Sequence, residues 1–197
     1  MKTVKDDPWF REGRLQKVLD VLNGDGGETR IVGGAVRNAL MGMPVGDIDM
    51  ATTLVPEEVA ARAKNAGMKP VPTGIAHGTV TVVCEGKPFE VTTLRADVET
   101  FGRHATVRFG TDWAEDAARR DLTINALYAD RDGAVIDLVD GLADIETRNV
   151  RFIGEAETRI TEDYLRILRF FRFFAWYGGG RPDAAGLKAS VRHREGL

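Results

Sequence analysis

The apolar positions of this chain fall into short, legible periods that alternate between helical and extended spacing. Leu15, Val18, Leu19 and Leu22 recur at i, i+3, i+4 and i+7 until Asn23-Gly24 ends the pattern. A packing helix is expected there, opened by Asp7-Pro8, with Trp9 and Phe10 as its hydrophobic anchor. Thr29 to Val32 is β-prone, Gly33-Gly34 breaks it, and Ala35 to Met41 suits a short helix. A second extended segment follows in which Asp47 and Asp49 leave one face while Ile48 and Met50 point the other way. Pro56, Glu57 and Glu58 open a further helix that ends at Gly67. TVTVVC, the turn at Glu85 to Pro88, and FEVTTLR read as a hairpin. Residues 96–114 show neither period and are expected to form a mobile loop, long enough to serve as a flap over substrate.

The C-terminal pattern is different. From Glu162 to Tyr177 a single helix is expected, with Asp163, Arg166, Arg169 and Arg172 each three residues after the last. Apart from Glu162 at its start, the other positions are apolar and include four phenylalanines, so this helix is expected to be packed nearly all round, with one charged ridge turned to an anionic partner. Arginines capping a bundle surface are the alternative. Beyond Gly178 the chain is glycine-rich and then carries one short helix-compatible piece. The fold class is α/β (α+β): a mixed sheet with flanking helices, followed by an all-α segment.

Composition narrows the picture. The 197 residues, 43% of them hydrophobic, suffice for one or two domains with a sizeable core. A net charge of −3 argues against a uniformly basic nucleic-acid coat, so any RNA contact must use a local patch or a further segment. MKTVKDDPWF lacks the apolar run of a signal peptide and no stretch has the length of a membrane span, so a cytoplasmic location is expected. Cys84, the only cysteine, has no partner for an internal disulfide or a zinc site and is expected to be buried in a strand.

Chemistry concentrates in a few places. Two glycines between a strand and a helix let backbone N–H groups approach an anion closely. The carboxylates of Asp47 and Asp49, two apart in an extended segment, suit a metal cation. An anion cradle followed by such a pair is what a nucleoside triphosphate with magnesium requires. Glu90 faces opposite to Phe89 and Val91 and is the candidate third carboxylate, the alternative being a solvated strand face. His77 reads as a turn histidine. In RRDLTINALY, residues 119–128, two arginines and an aspartate offer a phosphate-binding fork beside an acceptor for a ribose hydroxyl, or else a salt-bridged helix end.

GGAVRNALMG followed by GDIDMATT resembles the first motif of the tRNA CCA-adding nucleotidyltransferases and their poly(A) polymerase relatives, the bacterial and eukaryotic branch of that superfamily. RRDLTINALY matches the family's second motif nearly residue for residue, VIDLVDGLADI resembles its hinge between catalytic head and helical neck, and EDYLRILRFF resembles its EDxxR motif. The similarity runs from about residue 29 to 180, with the motifs in the family's order. It implies a nucleotidyltransferase head over residues 1–150 and the beginning of a neck over 151–197, with the active site between them. The implied reaction is transfer of CMP and AMP from CTP and ATP to the tRNA 3′ end with release of pyrophosphate.

By the same resemblance Asp47 and Asp49 hold Mg2+, while Gly34, Arg37, Arg169 and Arg172 bind phosphate oxygens; Glu90, from strand alternation alone, stands beside them as the candidate third catalytic carboxylate. Arg120 and Asp121 hold the ribose end, and Asp163 with Arg166 presents hydrogen-bonding edges to the incoming cytosine or adenine. Residues 96–114 resemble the family's flexible loop. Two departures stand out: Asn38 occupies a position that is aspartate in many relatives, and Phe101 precedes Gly102 where Asp-Gly is common. Family members continue into helical body and tail domains that hold the tRNA, so tRNA contact is expected through a region beyond residue 197. A poly(A) polymerase, an enzyme adding only part of CCA, and a nucleotide-binding head without independent activity share these motifs.

Overall fold

Most of the apolar periods build the expected elements with shifts at the ends, and the last of them is broken. The computed structural model describes residues 2–74, 77–97 and 107–197, and these divide into two compact units: residues 1–116 with 128–136, and residues 117–127 with 137–197.

In the first unit α1 (Gly13–Leu22) buries Leu15, Val18, Leu19 and Leu22. It starts later than Asp7-Pro8 suggests, because Asp7 uses its carbonyl to close turns with Phe10 and Arg11. Asn23 ends the helix: its Nδ2 donates to the Leu19 and Thr29 carbonyls at 2.8 and 3.1 Å, and its Oδ1 accepts from the Thr29 N–H. The chain then runs into β1 (Thr29–Val32), α2 (Gly34–Leu40), β2 (Asp49–Thr52), α3 (Pro56–Asn65), β3 (Lys69–Gly74), β4 (Thr79–Cys84) and β5 (Lys87–Thr93). Strands β8 (Leu127–Ala129) and β9 (Val135–Asp137) complete a seven-stranded sheet in the order β3-β4-β5-β2-β1-β8-β9.

The sheet is mixed. β4 and β5 form the expected antiparallel hairpin, β1 lies antiparallel to β2 and β8, and β2 runs parallel to β5. Val80, Val82, Phe89, Val91 and Met50 are all buried, and α1 and α3 pack against this part of the sheet. Strand alternation puts Asp49 and Glu90 on the opposite face.

The expected loop at 96–114 is partly regular. β6 (Arg95–Asp97) pairs antiparallel with β7 (Val107–Phe109), and α4 (Trp113–Ala118) follows. Irregular sequence hides such a ladder because backbone pairing, not a side-chain period, defines it. Phe101, Gly102, Arg103 and His104 lie outside the described residues. Trp113 secures the start of α4: its Nε1 donates to Glu28 Oε2 at 2.9 Å, the Arg30 guanidinium stacks 3.9 Å over its ring, and Tyr128 meets it edge-on.

The second unit contains α5 (Gly141–Thr147), α6 (Ala156–Glu162), α7 (Leu165–Tyr177) and α8 (Ala184–Arg192). It also takes in residues 117–127, so its packing divides from the first unit at other points than the expected boundary near 150. The expected continuous helix from Glu162 is two helices. Asp163 is extended at φ −156° and ψ 107°, ending α6, and its Oδ1 accepts the Leu165 N–H at 3.0 Å, capping α7. Nor is α7 packed all round: Ile167 and Phe170 are buried, whereas Leu165, Leu168, Phe171 and Trp176 are exposed. Phe170 stacks on Phe152 with centroids 5.4 Å apart, and Gly186 of α8 approaches it so closely that a Cβ there would stand 2.8 Å from its ring. Among the described residues no helix is long and apolar enough to cross a membrane.

Candidate nucleotidyl-transfer site

In the first unit the carboxylates assemble where the parallel pairing puts them. Asp49 of β2 is the register partner of Glu90 of β5, and register partners project from the same face. Both are exposed, while their successors Met50 and Val91 are buried partners in the same ladder. Asp47 lies two residues before Asp49 and is likewise exposed, with Ile48 buried between them. The solvated-face alternative for Glu90 describes its exposure, but the register adds what spacing alone lacked: a neighbouring aspartate. No three described His, Cys, Asp or Glu side chains converge into a closed metal cage. A small divalent cation takes one or two carboxylates and completes its shell with water and substrate phosphates, so Asp47 and Asp49 fit one chemically.

The glycine turn before α2 adopts the conformation only glycine takes readily, with Gly33 at φ 74° and ψ −119°. The Arg37 guanidinium lies beside it, since a Cβ on Gly34 would stand 3.6 Å from Arg37 Nη2. Arg37 is only 6% exposed, and its Nε and Nη2 donate to Asn38 Oδ1 at 3.1 and 2.9 Å. Asn38 Nδ2 in turn donates to the Pro44 carbonyl at 2.9 Å. This chain of bonds ties the helix to the loop leading into Asp47. It also explains how asparagine serves here: Oδ1 does what a carboxylate oxygen would, and Nδ2 makes a bond that aspartate cannot.

In the second unit the RRD segment is neither a helix nor an open fork. Arg120 is half-buried, and Asp121 is 8% exposed with both oxygens engaged. Its Oδ1 accepts the Leu122 N–H at 2.8 Å, and its Oδ2 accepts Arg169 Nε at 2.5 Å. One side chain assigned to ribose and one assigned to phosphate therefore form an ion pair. Arg169 retains its Nη groups and 42% side-chain exposure. Arg172, one turn on, is exposed, with its guanidinium 5.4 Å from the Phe173 ring centroid. Arg166 is bound through Nη1 to Glu162 Oε2 at 2.5 Å and to the Arg159 carbonyl at 2.9 Å. The ridge of Arg166, Arg169 and Arg172 survives, while Asp163 stands at the break before it.

Two groups lacked any signal of their own in the sequence. Asp144 of α5 is 6% exposed and gathers Thr123 Oγ1 at 2.6 Å, Asn149 Nδ2 at 2.9 Å and Arg151 Nε at 2.8 Å. It fixes Thr123 two residues beyond Asp121. Gly141 lets α5 come this close, since a Cβ there would stand 2.5 Å from the Thr123 carbonyl oxygen. The other is Arg159, whose bonds to Glu162 and Ala118 flank the same segment. Cys84 is buried in β4 as expected, and burial pushes its thiol pKa up.

Comparison with known proteins shows the family to which the chain belongs. Residues 29–151 match the family model described as the Poly A polymerase head domain. The mitochondrial CCA tRNA nucleotidyltransferase 1 of Danio rerio is 47% identical over 200 residues, covering 100% of this chain and 46% of that protein. The CCA-adding enzyme of Leuconostoc citreum is 44% identical over 167 residues, covering 84% of this chain and 40% of its own length. Among solved structures, the Bacillus stearothermophilus CCA-adding enzyme in complex with CTP superposes with a TM-score of 0.81 at 38% identity, covering 91% of this chain and 42% of that one. The chain thus spans under half the length of these relatives.

Proposed function

The chain belongs to the Poly A polymerase head-domain family, and from that premise we propose that it is the nucleotide-handling part of a tRNA nucleotidyltransferase that adds CMP and AMP, from CTP and ATP, to the 3′ end of tRNA. The observation that carries the reading is the in-register pairing of Asp49 with Glu90, two residues after the exposed Asp47. Asp49 and Glu90 on one sheet face, with Asp47 just ahead of β2, suit a metal-assisted displacement. The relatives' names, and the CTP complex among the structural neighbours, support the substrate class.

Mg2+, when bound, offsets the charge of the triphosphate and acidifies the attacking hydroxyl. Asp47 and Asp49 would hold it, and Glu90 beside Asp49 strengthens the local negative potential that attracts it. The backbone of the Gly33-Gly34 turn and the Arg37 charge beside it suit phosphate oxygens. In the helical unit, the Arg169 Nη groups and Arg172 are donors for the triphosphate. Asp163 and Arg166 are the acceptor and donor for a base edge, where a mismatched base would leave polar groups unpaired.

The test is incorporation onto tRNA lacking its terminal CCA, with Mg2+, CTP and ATP. Sequential addition of C, C and A is expected, and Asp49→Ala should abolish it while leaving the far-UV circular dichroism unchanged. Runs of A without C would identify a poly(A) polymerase, and near-normal turnover by Asp49→Ala would refute the metal assignment.

A further inference from the structure

Outside the motif residues, the helical unit holds one cation whose bonds converge on the base-reading pair. Arg159 of α6 has 17% side-chain exposure, and its Nη2 pairs with Glu162 Oε1 at 2.7 Å. Its Nη1 donates to the Ala118 carbonyl at 3.3 Å, just before Arg119, Arg120 and Asp121. The Arg159 carbonyl accepts from Arg166 Nη1 at 2.9 Å, and Glu162 Oε2 accepts from the same nitrogen at 2.5 Å. Glu162 is thereby shared, one oxygen to each arginine. Both protons of Arg166 Nη1 are committed, which leaves the Nε and Nη2 edge as the donor face for a ligand.

These bonds span a break in the chain. Asp163 is extended between α6 and α7, and the Arg166 N–H donates to the Asp163 carbonyl at 3.0 Å, a backbone bond that places Arg166 but leaves the direction of its long side chain open. The carboxylate of Glu162 sets that direction. Glu162 is itself 27% exposed along its side chain, and a glutamate held at one oxygen alone keeps rotamer freedom. Its second oxygen is held by Arg159, which is anchored in turn on Ala118.

We propose that Arg159 is a positioning residue for nucleotide selection: acting through Glu162, it fixes the Arg166 guanidinium in the one orientation that accepts cytosine or adenine. This rests on the reading of Asp163 and Arg166 as the base-reading pair. Discrimination between bases depends on donors and acceptors meeting at hydrogen-bond distance, so a loosened Arg166 loses selectivity before it loses affinity for the triphosphate, which other arginines bind. Lysine in place of Arg159 can hold Glu162 but has no planar fork with which to span Glu162 and Ala118 together.

The experiment is equilibrium titration of CTP, ATP, GTP and UTP, with Mg2+, against the unmodified chain and Arg159→Ala, Arg159→Lys, Glu162→Gln and Arg166→Ala. Arg159→Ala is expected to shrink the preference for CTP over UTP by about tenfold, with UTP affinity within about twofold of the parent. Glu162→Gln should do the same, and Arg159→Lys should restore part of the preference. Equal weakening of all four nucleotides would make Arg159 a structural support and overturn the proposal. Should Arg159→Ala fail to fold, the near-isosteric Glu162→Gln decides by the same criterion. If Arg166→Ala leaves selection unchanged, the base-reading assignment itself falls. If it erases selection while Arg159→Ala and Glu162→Gln preserve it, only the role of Arg159 falls.

Discussion

Replacing Asp144 with alanine should destabilise the helical unit. The side chain is 6% exposed and receives hydrogen bonds from Thr123, Asn149 and Arg151. Each of these bonds contributes about 1–1.5 kcal/mol net, the upper part of the ordinary range. Arg151 has 34% side-chain exposure and regains water when its partner is removed, so its share falls at the low end. Thr123 has no exposed surface, and its hydroxyl would be left buried without its acceptor. The expected loss is about 3–4 kcal/mol, against a typical domain stability of about 5–15 kcal/mol. With a urea slope of about 2 kcal/mol per molar, the midpoint should fall by roughly 1.5–2 M. Thr123→Val removes one of the three bonds and leaves the other two, so a loss of about 1–1.5 kcal/mol is expected. Urea unfolding followed by far-UV circular dichroism reads both, because the unit is largely helical. A loss below about 1 kcal/mol for Asp144→Ala, with Thr123→Val silent, would refute the view that Asp144 organises the segment around Asp121.

Two further changes test other parts of the account. Asn38→Asp retains the acceptor for Arg37 and surrenders the donor to the Pro44 carbonyl, so thermal unfolding should show a net change within about 1 kcal/mol; a loss above about 3 kcal/mol would mean the Pro44 bond dominates. Cys84, 1% exposed and with its thiol pKa raised by burial, should resist thiol reagents at neutral pH and react readily in urea; rapid labelling of the native chain would contradict its place in β4.

Much of this architecture was legible in the sequence because it is local. The alternation through Asp47, Ile48, Asp49 and Met50, the hairpin of β4 and β5, and the glycine turn at Gly33 each follow from a few adjacent residues. What escaped was set by distant partners. Alternation in its own strand already offers Glu90 the face of Asp47 and Asp49, and what it lacks is the register, which the parallel pairing of β2 with β5 supplies by setting Glu90 opposite Asp49. The even spacing of Asp163, Arg166, Arg169 and Arg172 suggested one continuous stripe, because the run has no glycine or proline. Asp163 nonetheless caps α7 instead of joining it, as aspartate competes with helical backbone for its own N–H groups. The apolar character of α7 was read as all-round packing, yet Leu165 and Trp176 are 61% and 71% exposed in this structure. Asp144 and Arg159 carried no local signal, since a buried carboxylate hub and a bridging arginine look like ordinary helix charges until the fold supplies their partners.

If this chain selects nucleotides for transfer, as proposed, equilibrium binding of CTP, ATP, GTP and UTP in the presence of Mg2+ will show it. CTP and ATP are expected to bind well more tightly than GTP and UTP. Equal affinity for all four triphosphates, or no binding of any by a folded chain, would contradict the proposal.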